Sequence, residues 1–306
     1  MENKTVIITG AHGFIGRHVA KVYRMNGWRV IGLGHGTWTC QEWGQWGLND
    51  WHECDITLEN LYSYCGKPNS IVHCAGSGSV GFSINYPMQD FARTVITMQH
   101  VLEFVRLYSP ETKIVYPSSA AVYGMAKEMP ISEDCLLDPI SPYGVHKKNA
   151  EELCSLYARQ YNISSAIVRL FSIYGEGLQK QLLWDACIKL GIDDTKFLGT
   201  GLETRDWVHV KDAAALLYLA YTKASVSCAI VNGGTGVSVT VEEILSILFV
   251  AFGSKDKPLF LKMNDTGNPV HYQADVCRLK EWNWEPKINL HQGIYEYVQW
   301  YKRIIS

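Results

Sequence analysis

The strongest constraint on this chain lies in its first 25 residues. Thr5-Val6-Ile7-Ile8-Thr9 is a β-branched run, the composition of a strand buried on both faces. Gly10-Ala11-His12-Gly13-Phe14-Ile15-Gly16 follows at once, and Arg17 to Met25 is compatible with a helix. A strand, a spaced set of glycines and a helix together form the local pattern of a dinucleotide-binding unit. Gly10 permits the tight turn, Gly13 lets backbone approach a pyrophosphate, and Gly16 lets the helix pack on the strand. The helix start adds N–H groups and the positive end of its dipole. His12, Phe14, Ile15 and Arg17 share that turn and join the three glycines as candidate cofactor contacts.

Further strands and helices alternate down the chain. Trp28 to Leu33 and Ser70-Ile71-Val72-His73-Cys74-Ala75-Gly76 read as strands, Met88 to Leu107 as helix, and Ile114-Val115-Tyr116 as a strand running into Ser118-Ser119. That alternation predicts an α/β protein with a Rossmann-type, doubly wound parallel sheet. Ligands then gather beyond the carboxyl ends of the strands, where Ser119 and the small residues Cys74, Ala75 and Gly76 stand. An NAD enzyme places Asp or Glu at the end of the second strand to accept from the adenosine ribose. Here the stretch is Gly34-His35-Gly36. Without an acid there to repel it, a 2′-phosphate could pair with Arg17 and His35, so NADP is expected ahead of NAD. Asp55, followed by Ile56, is placed either to bond an adenine amine or simply to end a strand. The stretch Trp38 to Trp51 holds four tryptophans and reads as a packed loop or a partner contact.

Tyr143 and Lys147 are four residues apart, which puts both on one helix face. An ammonium beside a phenol favours the phenolate and should draw the tyrosine down from its ordinary value of about 10. Tyr143 thereby becomes a candidate proton carrier for a hydroxyl or carbonyl centre.

Composition excludes several alternatives. A net charge of -2 leaves no basic face for nucleic acid. No apolar run is long enough to span a bilayer, and no leader is evident, so the cytoplasm is the expected compartment. The nine cysteines form no C-x-x-C pair and read as free thiols rather than disulfides or metal ligands. No metal site is expected.

These residues together resemble the extended short-chain dehydrogenase/reductase superfamily, in its branch of nucleotide-sugar epimerases, dehydratases and reductases. The resemblance spans the chain. It rests on Gly10/Gly13/Gly16, His73 to Gly76, Ser118 to Gly124, Tyr143/Lys147, Arg169 to Gly175 and Arg205 to Asp212. It implies a dinucleotide-binding domain over 1–170, with a segment near 205–235 returning to it, and a smaller mixed substrate-binding lobe over 171–306. It implies a catalytic Ser119, Tyr143 and Lys147, and substrate contacts from Ser172, Lys180 and Arg205, the arginine fork gripping a diphosphate. It also implies a homodimer through the helices around Phe91 to Leu107 and Gly144 to Tyr161.

Departures from the family pattern narrow the expectation. Dehydratases carry an acidic pair after the catalytic hydroxyl, where this chain has Ala120 and Ala121. The coupled 3,5-epimerase and reductase type needs a cysteine at Ala120. Simple 4-epimerases carry an acid at Gly34 and commonly asparagines at Ser172 and Thr94. The reading left standing is NADPH-dependent reduction of a nucleotide-linked 4-keto-6-deoxyhexose in deoxysugar or polysaccharide biosynthesis. An NAD-dependent nucleotide-sugar 4-epimerase is the alternative, and a non-catalytic cofactor-binding scaffold the reading of another class. A second phosphate-binding arginine is common near Gly267-Asn268-Pro269, where only His271 and Arg278 are close. The nucleotide and the sugar are not readable from these residues.

Overall fold

The structure, a computed structural model, describes residues 4–261 and 270–306. Gly267-Asn268-Pro269 lie outside the described residues. The chain forms two compact units: Met1–Gly124, Leu136–Leu170 and Ala214–Val231 make the first, and Met125–Cys135, Phe171–Ala213 and Asn232–Ser306 the second.

In the first unit the order is β1 (Thr5–Thr9), α1 (Phe14–Met25), β2 (Arg29–Gly34), α2 (Cys40–Gln45), β3 (Asp50–Glu53), α3 (Leu58–Cys65), β4 (Ser70–His73), α4 (Val80–Asn85), α5 (Pro87–Phe91), α6 (Thr97–Tyr108), β5 (Lys113–Ser119), α7 (Pro142–Tyr161) and β6 (Ser165–Leu170). A π-helical turn, Ala92–Ile96, joins α5 to α6. The second unit has β7 (Ser172–Tyr174), α8 (Gln181–Leu190), β8 (Lys196–Phe197) and β9 (Thr204–His209). Next come α9 (Val210–Lys223) and β10 (Ala229–Gly233), each divided between the units. The second unit then continues with β11 (Ser238–Thr240), α10 (Val241–Phe252), β12 (Leu259–Phe260), α11 (Cys277–Glu281) and α12 (Leu290–Ile305).

The large sheet runs β10-β6-β5-β4-β1-β2-β3, with every pairing from β3 to β6 parallel. Its order reverses between β1 and β4, the switch point at which a doubly wound sheet opens a crevice. Thr9 is in register with both Leu33 and His73, so β1, β2 and β4 end together. Ile7, Ile31, Leu33, Ile71 and Ile114 are buried against Met98, Val101, Leu102 and Val105 of α6 and Ala150 and Cys154 of α7. Each large aliphatic among them contributes about 1.5–3 kcal/mol on burial, which is why these strands read as unbroken apolar runs. A three-stranded mixed sheet, β11-β9-β7, organises the second unit.

The division of the chain departs from the sequence expectation in two places. Residues 125–135 were expected to run on within the first unit and instead group with the second. Ile131 bridges to Ala274, and the Glu133 carboxylate accepts from the Asn232 amide at 2.8 Å. The returning segment is correspondingly shorter than expected, 214–231.

Candidate active site

The glycine turn is built as a backbone cradle. Gly10 has φ +68, and a Cβ there would lie 2.7 Å from the Ala75 backbone nitrogen. A Cβ on Gly16 would lie 2.3 Å from the Gly10 carbonyl oxygen, so only hydrogen fits between α1 and the turn. Gly13 caps α1 with neither a side-chain cap nor an acidic residue in the first turn. Thr9 Oγ1 accepts from the Ala75 amide and bonds Nδ1 of His73 at 2.8 Å, which fixes the end of β4 against the turn. Bare glycine backbone facing an uncapped helix start fits a dinucleotide pyrophosphate.

The adenosine side of this cradle is arranged differently from what the sequence implied. Arg17 donates to the carbonyls of His12 and Gly13, and its guanidinium lies 5.4 Å from the Trp38 ring and 5.3 Å from that of Trp46. His35 Nε2 is paired with Asp55 Oδ1 at 2.8 Å. Both side chains expected to receive a 2′-phosphate therefore already hold partners, and a carboxylate stands at this corner after all. Gly34 has a physical reason to lack a side chain: its φ is +147, and a Cβ would press on Gly10 at 3.3 Å. The tryptophan stretch packs around the turn, with Trp38 edge-on to His12 at 4.6 Å and Trp46 edge-on to His18 at 4.9 Å. The Ile56 side chain is buried in the core.

Ser119, Tyr143 and Lys147 come together in the first unit. Ser119 ends β5 and caps the short 3-10 turn after it, accepting from the Ala121 amide at 3.2 Å. Ser141 caps α7, and Pro142 at its first position presets the helix that carries Tyr143 and Lys147. The Tyr143 amide is held by Ser83 Oγ at 3.0 Å. Lys147 is buried and donates to the Pro117 carbonyl at 3.1 Å; its ammonium lies 5.9 Å from the Tyr143 ring and 4.7 Å from that of Tyr116.

The expected acidic phenol is not what the protein alone produces. Desolvation pushes Tyr143 up to about 12, opposed by a hydrogen bond with Ser119 and reinforced by the Asp90 carboxylate. Desolvation also brings Lys147 down to about 8, against the pull of Cys74, Asp90 and Glu151. Burial thus sets the direction of both shifts. Two groups here were missed from sequence: Asp90, which looks like any helix acid, and His146, hidden inside the Tyr-x-x-x-Lys spacing.

The remaining candidates lie in the second unit. Ser172 opens β7 and is partly exposed, and Lys180 is exposed just before α8. Arg205, on β9, donates to the carbonyls of Thr204 and Val270 at 2.8 and 3.1 Å and lies 6.0 Å from the Tyr272 ring. Asp206 beside it is buried and clamps a loop, accepting from Thr235, Gly236 and Ala274 amides. Arg278 is paired with Asp134 at 2.6 Å and His271 with Thr204 at 3.1 Å, so both serve local structure. Among the described residues no group of His, Cys, Asp and Glu is arranged for a metal, and no helix is long and apolar enough to cross a membrane.

Known proteins resemble the chain along its whole length. Residues 6–233 match the family described as the NAD dependent epimerase/dehydratase family. A provisionally named UDP-glucose 4-epimerase from Methanocaldococcus jannaschii is 30% identical over 309 residues, spanning 97% of this chain and 98% of its own. The crystal structure of UDP-glucose 4-epimerase from Thermotoga maritima with UDP-glucose is 26% identical, with a TM-score of 0.90 over 99% of this chain and 100% of that one. The UDP-glucuronic acid 4-epimerase of Bacillus cereus, in complex with UDP-glucuronic acid and NAD, is 25% identical, with a TM-score of 0.87 over 98% and 99%.

Proposed function

This chain belongs to the NAD dependent epimerase/dehydratase family, and from that premise we propose that it is a UDP-sugar 4-epimerase that retains NAD. The observation that carries the proposal is Ser119, Tyr143 and Lys147 gathered in the unit that holds the glycine cradle, with Ala120 and Ala121 where a dehydratase needs acids. The named relatives are 4-epimerases, which favours this reading over the one-way reduction expected from sequence. NAD is favoured over NADP because Arg17 and His35 are already engaged and Asp55 would repel a 2′-phosphate.

Gly10, His12, Gly13, Phe14, Ile15 and Gly16 would hold the pyrophosphate side of the cofactor, Asp55 and Ile56 the adenosine, and Cys74, Ala75 and Gly76 the backbone beyond β4. Bound NAD supplies the acceptor for hydride from the sugar C4 and gives it back. Ser119 hydrogen-bonds the 4-oxygen. Tyr143 takes the proton of the 4-hydroxyl and later returns it, and its neutral phenol is the form that returns it. The ionised form needs a cation beside it, which is the task of Lys147. Arg205, Ser172 and Lys180 are assigned to the nucleotide sugar.

Incubation with UDP-glucose or UDP-glucuronate should yield the 4-epimer with no net change at the reduced-nicotinamide band. Stoichiometric loss of NADPH with a 4-keto nucleotide sugar would instead establish a reductase. Tyr143→Phe should lower turnover by about 10²–10⁴-fold while NAD still binds; unchanged function would point to a scaffold. The homodimer belongs to the same reading. Met88, Phe91, Ile96, Val145, Leu156 and Tyr161 are exposed on the helices that would meet, and light scattering at micromolar concentration should give twice the chain mass.

A further inference from the structure

We propose that Trp38 and Trp46 set the cofactor preference by holding Arg17 against their indole rings, which withholds its charge from a 2′-phosphate. The inference rests on the NAD reading above and names the residues that enforce it. Arg17 lies in the first turn of α1, beside the glycine cradle, and a guanidinium fork suits a phosphate there. Its Nη2 and Nε instead donate to the carbonyls of His12 and Gly13. Its guanidinium carbon lies 5.4 Å from the centre of the Trp38 ring and 5.3 Å from that of Trp46. Both distances are within the range of cation–π attraction.

The same rings stand where the two cofactors differ. In a doubly wound sheet the adenosine ribose meets the end of the second strand, here Gly34 of β2 and the residues just after it. Trp38 is edge-on to His12 at 4.6 Å, and a Cβ on Gly36 would lie 2.4 Å from His12 Nδ1. The end of β2, Trp38 and the glycine turn are therefore packed together, and Trp51 joins them 5.5 Å from Trp38. Trp46 is fixed from α1, edge-on to His18 at 4.9 Å, with Lys21 Nζ 5.6 Å from its ring. Between the two tryptophans in sequence, a capping box of Thr39 and Glu42 sets the start of α2. Each indole is thus held by neighbours other than Arg17. To pair with a 2′-phosphate the guanidinium must give up these contacts, a loss that weakens NADP binding. NAD has no such phosphate and asks nothing of Arg17. Trp38 and Trp46 are positioning residues, since both act through the arginine.

The test equilibrates full-length protein with an equimolar excess of NAD and NADP and measures the bound dinucleotides by mass spectrometry after desalting. Trp38→Leu combined with Trp46→Leu should raise the bound ratio of NADP to NAD at least about tenfold, the worth of one charge-assisted contact. Adding Arg17→Met should cancel that rise, and concentrated salt should shrink it, because the new pair is electrostatic. Trp38→Phe with Trp46→Phe keeps both rings and should leave the ratio near that of the unaltered protein. An unchanged ratio in the folded leucine pair overturns the proposal, and so does a rise that survives Arg17→Met. Should the leucine pair fail to fold, Trp38→Leu alone decides by the same criteria, since Trp38 is partly exposed in the loop before α2. A preference of the unaltered protein for NADP sinks the NAD reading by itself. The tryptophan assignment is judged separately, by whether the ratio moves and does so through Arg17. Retention of neither dinucleotide by the unaltered protein overturns both.

Discussion

A lysine buried for the sake of its charge is a liability to the fold. Lys147 is held near 8 by desolvation, well under its ordinary value. Replacing it with an apolar side chain of similar length removes the desolvation penalty along with the cation. Lys147→Met should therefore unfold at a temperature no lower than the unaltered protein at pH 7, while turnover falls by at least about 100-fold. Differential scanning calorimetry with an epimerase assay checks both halves. Two histidines make the opposite kind of statement. Burial brings His73 down to about 3 and His209 down to about 4. Below the ordinary value of 6.5 the unfolded chain takes up protons that the native state refuses, so stability falls as pH is lowered toward those values. Urea midpoints at pH 7, 5.5 and 4.5 should decline, and less steeply in His73→Gln. At this scale the sequence was half legible. Ser119, Tyr143 and Lys147 were expected as a set from the family resemblance, and they do lie together in the first unit. Their protonation was not legible, because desolvation depends on packing that no local pattern encodes.

Elements built on local rules were the easiest to read. β1 spans Thr5–Thr9 and α10 spans Val241–Phe252, both as the residues imply, because a β-branched run and a Thr240 cap act within a few positions. The short strands β8 and β12 were invisible, each being fixed by a partner far along the chain, and the π-helical turn at Ala92–Ile96 was not read from the residues either. The glycine turn is where element and function coincide. Gly16→Ala would drive a Cβ into the Gly10 carbonyl at 2.3 Å, a backbone atom with no rotamer to escape into. It should cost about 1–3 kcal/mol of stability and weaken NAD binding at least tenfold. Asp55→Asn, by contrast, should leave the fold intact and, on the NAD reading proposed above, strengthen NADP binding relative to NAD, as a thermal-shift panel of the two cofactors would register.

At the level of the molecule, sequence order and unit membership diverge. A break near residue 170 was the natural reading, since Leu170 does end a strand of the large sheet. The structure also carries 125–135 into the second unit, and the expected return to the first unit covers 214–231. Nothing in the composition of those segments marks the exchange; it is fixed by single pairings such as Ile131 with Ala274. A truncated chain ending at residue 170 lacks β10, which borders β6 in the sheet, and should be recovered unfolded, as circular dichroism and proteolysis would reveal.

That interleaving also bears on how such proteins can diversify. A lineage that exchanges its second unit for a cousin's cannot do so by one recombination event, because that unit is encoded in three separated stretches. New specificities should arise through point substitutions and loop insertions inside an inherited whole, and chimaeras spliced at a single crossover should be rare among functional descendants.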